Sequence, residues 1–368
     1  MATIPTEAPV QPGTIPATMR AAVYRGINDV RVETVPVPRI GPGEVLIRVH
    51  SCGVCGTDLK KIHTGSHSAP RIFGHETAGT LAAVGEGVRG WEVGDRVMVY
   101  HHIPCGQCYY CRKKTFAQCA TYKKVGCTAG FEPSGGGFAQ YVRVMDWIVG
   151  RGGLVRIPDG IPFEQAAFVE PVNTVLKGVR RLNLAPDETV LVIGQGPIGI
   201  LLAALSARSG AKVLTSDLYP ERHALAAHYG LNHPIDAGKE DVVAAAHAAS
   251  EGRGADAVIL AVGANSLIST AVGAARPGGR ILLFAATQHG EASFDPAAVC
   301  MDEKDLIGSY SSSFEIEPEV EEIVFGGYRQ GFDLTRLISH RFSIEDSVEA
   351  IRVASNPTAG SMKVFIHP

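Results

Sequence analysis

Residues 189–207 read TVLVIGQGPIGILLAALSA, nineteen positions without a charge. A membrane helix would tolerate that length. Gly194, Gln195, Gly196 and Pro197, however, divide the run into a short β-branched piece and a helix-like piece, so it reads as strand, turn and helix. Within the turn, Gly194, Gly196 and Gly199 keep G-x-G-x-x-G spacing, with Pro197 and Ile198 between the last two. Asp217 closes the next apolar run, 18 residues beyond Gly199. These parts suit a dinucleotide. Gly194 makes the tight turn, Gly196 lets a pyrophosphate approach, and Gly199 allows close packing. The helix that opens at Pro197 and Ile198 offers amide donors and a favourable field to the phosphates. A carboxylate at Asp217 accepts the ribose hydroxyls of NAD and repels the 2′-phosphate of NADP, a preference that nearby Arg222 softens.

The surrounding text has two grammars. After Pro171, the runs VLVIG (190–194), KVLTSD (212–217), DAVILAVG (256–263) and GRILLFAA (279–286) alternate with helix-like stretches at 198–209 and 220–229. This pattern predicts an α/β doubly wound parallel sheet covered on both faces, a Rossmann domain. From Met19 to about residue 150, runs such as EVLIRVHS (44–51), TAGTLAAVG (77–85) and DRVMVYH (95–101) are separated by Gly and Pro clusters. Those suit an irregular antiparallel β-barrel. A length of 368 residues fits two such domains.

Composition excludes several classes of function. The chain is 45% hydrophobic and 19% charged with a net charge of −3, so neither disorder, nucleic-acid binding nor attachment to an acidic membrane is favoured. Residues 1–18, MATIPTEAPVQPGTIPAT, carry four prolines and no Lys or Arg. They fit neither a signal nor a transit peptide and read as a disordered leader. The expectation is a cytoplasmic protein, where eight cysteines stay reduced and bind metal more readily than they cross-link.

Four of those cysteines, Cys105, Cys108, Cys111 and Cys119, fall within CGQCYYCRKKTFAQC (105–119). Four thiolates at this spacing close a tetrahedral shell around zinc and leave no position for substrate, the mark of a structural site. An iron–sulfur cluster uses the same ligand count, and spacing alone leaves it open. A second set is scattered: Cys52 and Cys55 in SCGVCGTD (51–58), His75 and Glu76 in FGHETAG (73–79), and Glu170 in FVEPVNT (168–174). Three ligands with an open fourth position would make a catalytic zinc site, although spacing does not show that they converge.

In the order PGEVLIRV, CGVCGTD, GHETAG, four-cysteine lobe and GxGxxG, the chain resembles the zinc-dependent medium-chain alcohol and polyol dehydrogenases over about residues 19–368. The resemblance implies a GroES-like catalytic domain of residues 19–172 and 310–368, with a nucleotide domain of residues 173–309 inserted between. It implies two zinc ions per chain and NAD. Cys55 and His75 are the first two ligands to catalytic zinc, and Cys52 is a neighbour. Glu170 stands where classical alcohol dehydrogenases carry a cysteine ligand, as in the sorbitol and threonine dehydrogenases, where Glu76 can coordinate in its stead. Thr57 passes the substrate proton outward, and Asp58 orients the histidine ligand. Many relatives place a histidine two residues past that aspartate; here it is Lys60, with His63 nearby. Gly263 and Ala285–Thr287 line the nicotinamide side, and Lys363 lies near the pyrophosphate or in solvent. The activity implied is oxidation of a small polar secondary alcohol (a polyol, sugar alcohol or cyclitol) to a ketone, by a homodimer or homotetramer. A threonine-type amino alcohol is the alternative substrate, and a non-catalytic NAD-binding sensor or scaffold the alternative class. The stretch GSYSSSF (308–314) reads as a polar pocket wall.

Overall fold

A computed structural model describes residues 15–100, 103–121, 135–285 and 290–368. The leader up to residue 14, His101, His102, Ala286 and Thr287 lie outside the described residues. The first strand starts at Thr18.

By contacts the chain forms two compact units. The first holds residues up to Ala167 together with Arg341–Ser355 and Val364–Pro368; the second holds Phe168–His340 and Asn356–Lys363. Residues 168–172, 310–340 and 356–363, expected with the catalytic domain, thus group with the nucleotide sheet.

In the first unit β1 (Thr18–Gly26) pairs antiparallel with β2 (Asp29–Pro36) and with the short β4 (Arg71–Ile72). A larger sheet is built around β3 (Val45–Gly53). One edge of β3 takes β5 (Glu76–Val84), which continues through β6 (Arg96–Val99) to β8 (Leu154–Arg156). Its other edge is shared. β7 (Tyr141–Val144) pairs with Val45–Arg48, and the C-terminal strand β16 (Lys363–His367) pairs with Cys52 and Gly53. The return segment is held by Glu164, which receives both Arg341 Nε at 2.7 Å and Nη2 at 2.9 Å and lies 3.0 Å from His367 Nε2.

In the second unit, β9 (Thr189–Ile193) is buried at all five positions, as a central parallel strand must be. It sits in a six-stranded sheet flanked by β10 (Lys212–Asp217) and β12 (Ala255–Leu260). β11 (Pro234–Asp236) lies beyond β10, and β13 (Ala275–Leu283) and β14 (Asp305–Gly308) lie beyond β12. All the pairs are parallel. The strand order is that of the dinucleotide-binding folds, with its reversal beside β9, where ligands bind at the carboxyl ends of strands. Leu191, Leu214, Val258 and Ile281 form the core beneath one face. Among the described residues no helix is long and apolar enough to cross a membrane.

Candidate metal centre and dinucleotide turn

Where β3 ends, Cys55 caps the helix Gly56–Thr64: its Sγ accepts from Thr57 N at 3.5 Å. The third residue of that helix, Asp58, is fully buried and completes a capping box by accepting from Cys55 N at 3.2 Å. Its other carboxylate oxygen lies 3.1 Å from His75 Nδ1 and 3.5 Å from Gly74 N. One carboxylate therefore ties together the two segments that carry Cys55 and His75. Because β3 and β5 pair with Gly53 opposite Glu76, Glu76 arrives in the same place. Ligand atoms of Cys55, His75 and Glu76 all lie within 4.8 Å of one another.

Burial lowers the proton affinity of His75, but the adjoining Asp58 and Cys55 outweigh it and the net direction is upward. Burial likewise raises Asp58, and the His75 ring reverses it, so Asp58 is held down. A buried cluster of thiol, imidazole and carboxylates gathers negative charge that a cation neutralises. Its donor set of sulfur, nitrogen and oxygen is one that zinc accepts. With Nδ1 facing Asp58, the ring presents Nε2 to a metal, the arrangement that carboxylate partners of metal-bound histidines impose.

Cys52 is buried within β3, its Sγ 3.5 Å from Thr77 Oγ1, and is outside the converging group. Thr57 is exposed. His63 is exposed too, and both its ring nitrogens are engaged, by Asn28 Oδ1 at 2.6 Å and Ser355 Oγ at 2.9 Å. Glu170 belongs to the second unit, buried in the first turn of the helix Val169–Arg180. Lys363 is buried, so the solvated alternative for it is corrected. Gly263 and Ala285 follow β12 and β13.

The four-cysteine lobe closes on itself. Cys108 and Cys111 Sγ atoms are 3.5 Å apart, and those of Cys105 and Cys111 3.9 Å. A tetrahedron with zinc–sulfur arms of about 2.3 Å has edges of about 3.8 Å. Cys119 Sγ accepts from Cys105 N at 3.4 Å, and Cys105 Sγ from Cys108 N at 3.4 Å. Backbone donors lower the Cys105 thiol, whereas burial and the neighbouring Cys108 push Cys111 up to about 12. Among the described residues the lobe's apolar cluster is the four cysteines and Phe116, so a metal there would stand in for a core.

At the dinucleotide turn the glycines divide the work sterically. Gly194 has φ +95°, and a Cβ there would meet Val262 Cγ2 at 2.2 Å. A Cβ on Gly199 would lie 1.8 Å from the Gly194 carbonyl oxygen. One on Gly196 would meet nothing within 4 Å, leaving the room a ligand needs. Asp217 faces the turn: Oδ2 accepts from Gln195 N at 2.6 Å and Arg222 Nη1 at 3.3 Å, and Oδ1 from Tyr219 N at 3.1 Å. The Arg222 guanidinium stacks on the Tyr219 ring at 4.7 Å. Sequence reasoning passed over Gln195, whose fully buried side chain bonds the Val192 and Gly194 carbonyls from beneath the turn. A polar residue between two turn glycines was the available signal.

A dinucleotide sheet joined to a barrel-type unit with converging metal ligands defines a metal-dependent oxidoreductase. Comparison with known proteins fixes the family. Residues 41–159 match the alcohol dehydrogenase GroES-like domain, and residues 197–325 the zinc-binding dehydrogenase profile. L-threonine 3-dehydrogenase of Rhizobium rhizogenes is 32% identical over 90% of this chain and 93% of its own. Sorbitol dehydrogenase of Bacillus subtilis is 28% identical over 96% and 99%. The solved structure of a zinc-binding dehydrogenase from Sinorhizobium meliloti, bound to NADP, superposes with a TM-score of 0.85 at 28% identity, covering 96% of this chain and all of that one. The chain belongs to the zinc-binding dehydrogenase family, and with it to the nicotinamide-dependent alcohol dehydrogenases.

Proposed function

We propose that this enzyme oxidises a secondary alcohol of the polyol, sugar-alcohol or cyclitol type to a ketone, with NAD as hydride acceptor. The observation that carries the reading is the convergence of Cys55, His75 and Glu76 behind the buried Asp58 carboxylate. Zinc in that group would supply Lewis acidity that lowers the pKa of a hydroxyl, and bound NAD would be the hydride acceptor. The chain does the rest. Cys55, His75 and either Glu76 or Glu170 hold the metal, and Asp58 keeps Nε2 of His75 turned towards it. Thr57, exposed in the first helical turn, takes the proton outward. The Gly194–Gly199 turn seats the pyrophosphate, and Asp217 receives the ribose hydroxyls. The carboxylate favours NAD, and its ion pair with Arg222 softens that preference and leaves NADP admissible. Cys105, Cys108, Cys111 and Cys119 hold a structural zinc.

The likeness to sorbitol dehydrogenase and the serine-rich 308–314 stretch support a polyol. The higher identity to a threonine dehydrogenase makes an amino alcohol the second reading. The test is NADH production across polyols, inositols, simple secondary alcohols and threonine. Cys55→Ala and His75→Ala are expected to abolish turnover while the thermal transition persists. Undiminished activity after metal stripping, or a single bound zinc with no activity on any alcohol, would refute it.

A further inference from the structure

The four-cysteine lobe has an outer face that neither a metal nor the dinucleotide uses. Its one short helix, Tyr109–Arg112, buries Cys111 and leaves the neighbours of that thiol outside. Tyr109 is 62% exposed and Tyr110 46%, unusual for side chains that gain so much from burial. Their ring centroids are 5.6 Å apart at an interplanar angle of 82°, so the two rings form a corner rather than a flat platform.

Cations gather beside the rings. Arg112, Lys113 and Lys114 follow them in sequence and are all exposed, with Arg112 Nη1 braced on Gln107 O at 2.5 Å. Arg151, also exposed, reaches the base of the lobe and donates to Pro104 O at 3.2 Å. Among the described residues Arg112, Lys113 and Arg151 have no carboxylate partner. Elsewhere in the same unit Arg20, Arg25, Arg31, Arg143 and Arg156 each sit on one. The sequence gives the reason, since no acidic residue stands between Asp95 and Glu132. Four thiolates around a divalent zinc would bring two negative charges to the lobe, fewer than the cations on its surface. The net charge of −3 is an average over the whole chain. A bound strand feels the charges within about 8–10 Å of it, and around this lobe those are positive.

We propose that this face of the lobe docks single-stranded nucleic acid. One unstacked base sits in the corner of Tyr109 and Tyr110, and neighbouring phosphates lie on Arg112, Lys113, Lys114 and Arg151. Exposed rings flanked by cations supply what an unpaired strand needs, a surface for its bases and neutralisation of its backbone. Small zinc-held modules recognise RNA in this way. An acidic peptide would use the cations and leave the rings idle, and a duplex keeps its base faces stacked out of their reach. The proposal is independent of the alcohol dehydrogenase reading, because it draws on no residue of the Cys55 centre or the dinucleotide turn.

The test is fluorescence anisotropy of labelled oligo(dT) and oligo(U) titrated with the full-length, zinc-loaded protein at several salt concentrations. Binding is expected with a Kd of roughly 10⁻⁶–10⁻⁴ M, and log K should fall against log salt with a slope of about −3, the value for four phosphate contacts on a single strand. Lys113→Ala should flatten that slope by about 0.7. Tyr109→Leu should weaken binding about tenfold and leave the slope alone, whereas Tyr109→Phe, which keeps the ring, should bind like the wild type. Absence of binding at low salt overturns the proposal. So does a duplex that binds as tightly as the single strand. Binding that falls in Lys113→Ala, is indifferent to Tyr109→Leu and is displaced by oligo-glutamate also overturns it, and assigns the face to an acidic protein segment instead. Equal losses in Tyr109→Leu and Tyr109→Phe would remove the stacked base from the account and refute it as well.

Discussion

Replacing Asp58 by Asn keeps the side chain's shape and removes its charge. The carboxylate accepts on both sides, from Cys55 N at 3.2 Å and at the other oxygen beside His75 Nδ1 at 3.1 Å. An amide accepts on one side only. If its NH2 faces Cys55, two donors meet and a buried N–H loses its acceptor, at about 1–3 kcal/mol. If it faces His75, Nδ1 must become the acceptor and the proton moves to Nε2, the nitrogen a metal needs. The first arrangement preserves the site. It leaves a weaker acceptor behind the ligand histidine, a change that lowers metal affinity about 10–100-fold. The expected result for Asp58→Asn is thus catalytic-site zinc lost at 10–100-fold lower chelator concentration, with the four-cysteine site unmoved. The assay is a chelator titration that follows zinc release and activity together. Asp58→Ala should be worse, because Gly74 N and Cys55 N are both left bare. Wild-type zinc retention in Asp58→Asn would refute the claim that this carboxylate supports the metal ligand.

The dinucleotide turn predicts a contrast between neighbours. Gly199→Ala drives a Cβ against the Gly194 carbonyl oxygen at 1.8 Å and should lower the unfolding midpoint of the protein by an overpacking cost of about 1–3 kcal/mol or more. Gly196→Ala meets nothing within 4 Å and should leave the midpoint alone while weakening NADH binding, read by nicotinamide fluorescence. At Glu164, burial raises the carboxyl, but bonds from His367 and Arg341 overcome it and bring it down to about 2. A carboxyl depressed on folding adds stability above its ordinary pKa and loses it as pH falls through the folded value. The shift caps the effect at ~3.4 kcal/mol, and solvent screening leaves about half. Urea unfolding of Glu164→Gln should show that deficit at pH 7 and see it shrink between pH 4.5 and about 2. A constant deficit down to pH 3 would assign it to packing instead.

The readable parts of this chain were those whose chemistry is local. The glycines at 194, 196 and 199 lie on one turn, and the four cysteines in one short lobe, so spacing carried their geometry. The strand–helix alternation after Pro171 gave the parallel sheet. Cys55, His75 and Glu76 meet only because β3 and β5 pair in one register, and a register between distant strands leaves no mark in either; the family resemblance had to supply it. For Lys363 the sequence left a solvated side chain open beside the pyrophosphate role, because a lone lysine at a strand start is usually exposed; here it is buried.

The pairing of β16 with β3 has a consequence for synthesis. Phe365 and Ile366 lie opposite Gly53 and Cys52, and His367 bonds His50 across 317 positions of chain. The six-stranded parallel sheet is complete once Gly308 has left the ribosome. The strand leading into Cys55 still lacks one neighbour at that point. A nascent chain can therefore hold a finished nucleotide sheet while β3 waits with part of one edge open for residues 364–367. A chain cut before residue 364 would keep the parallel sheet and leave β3 without that neighbour at Cys52 and Gly53.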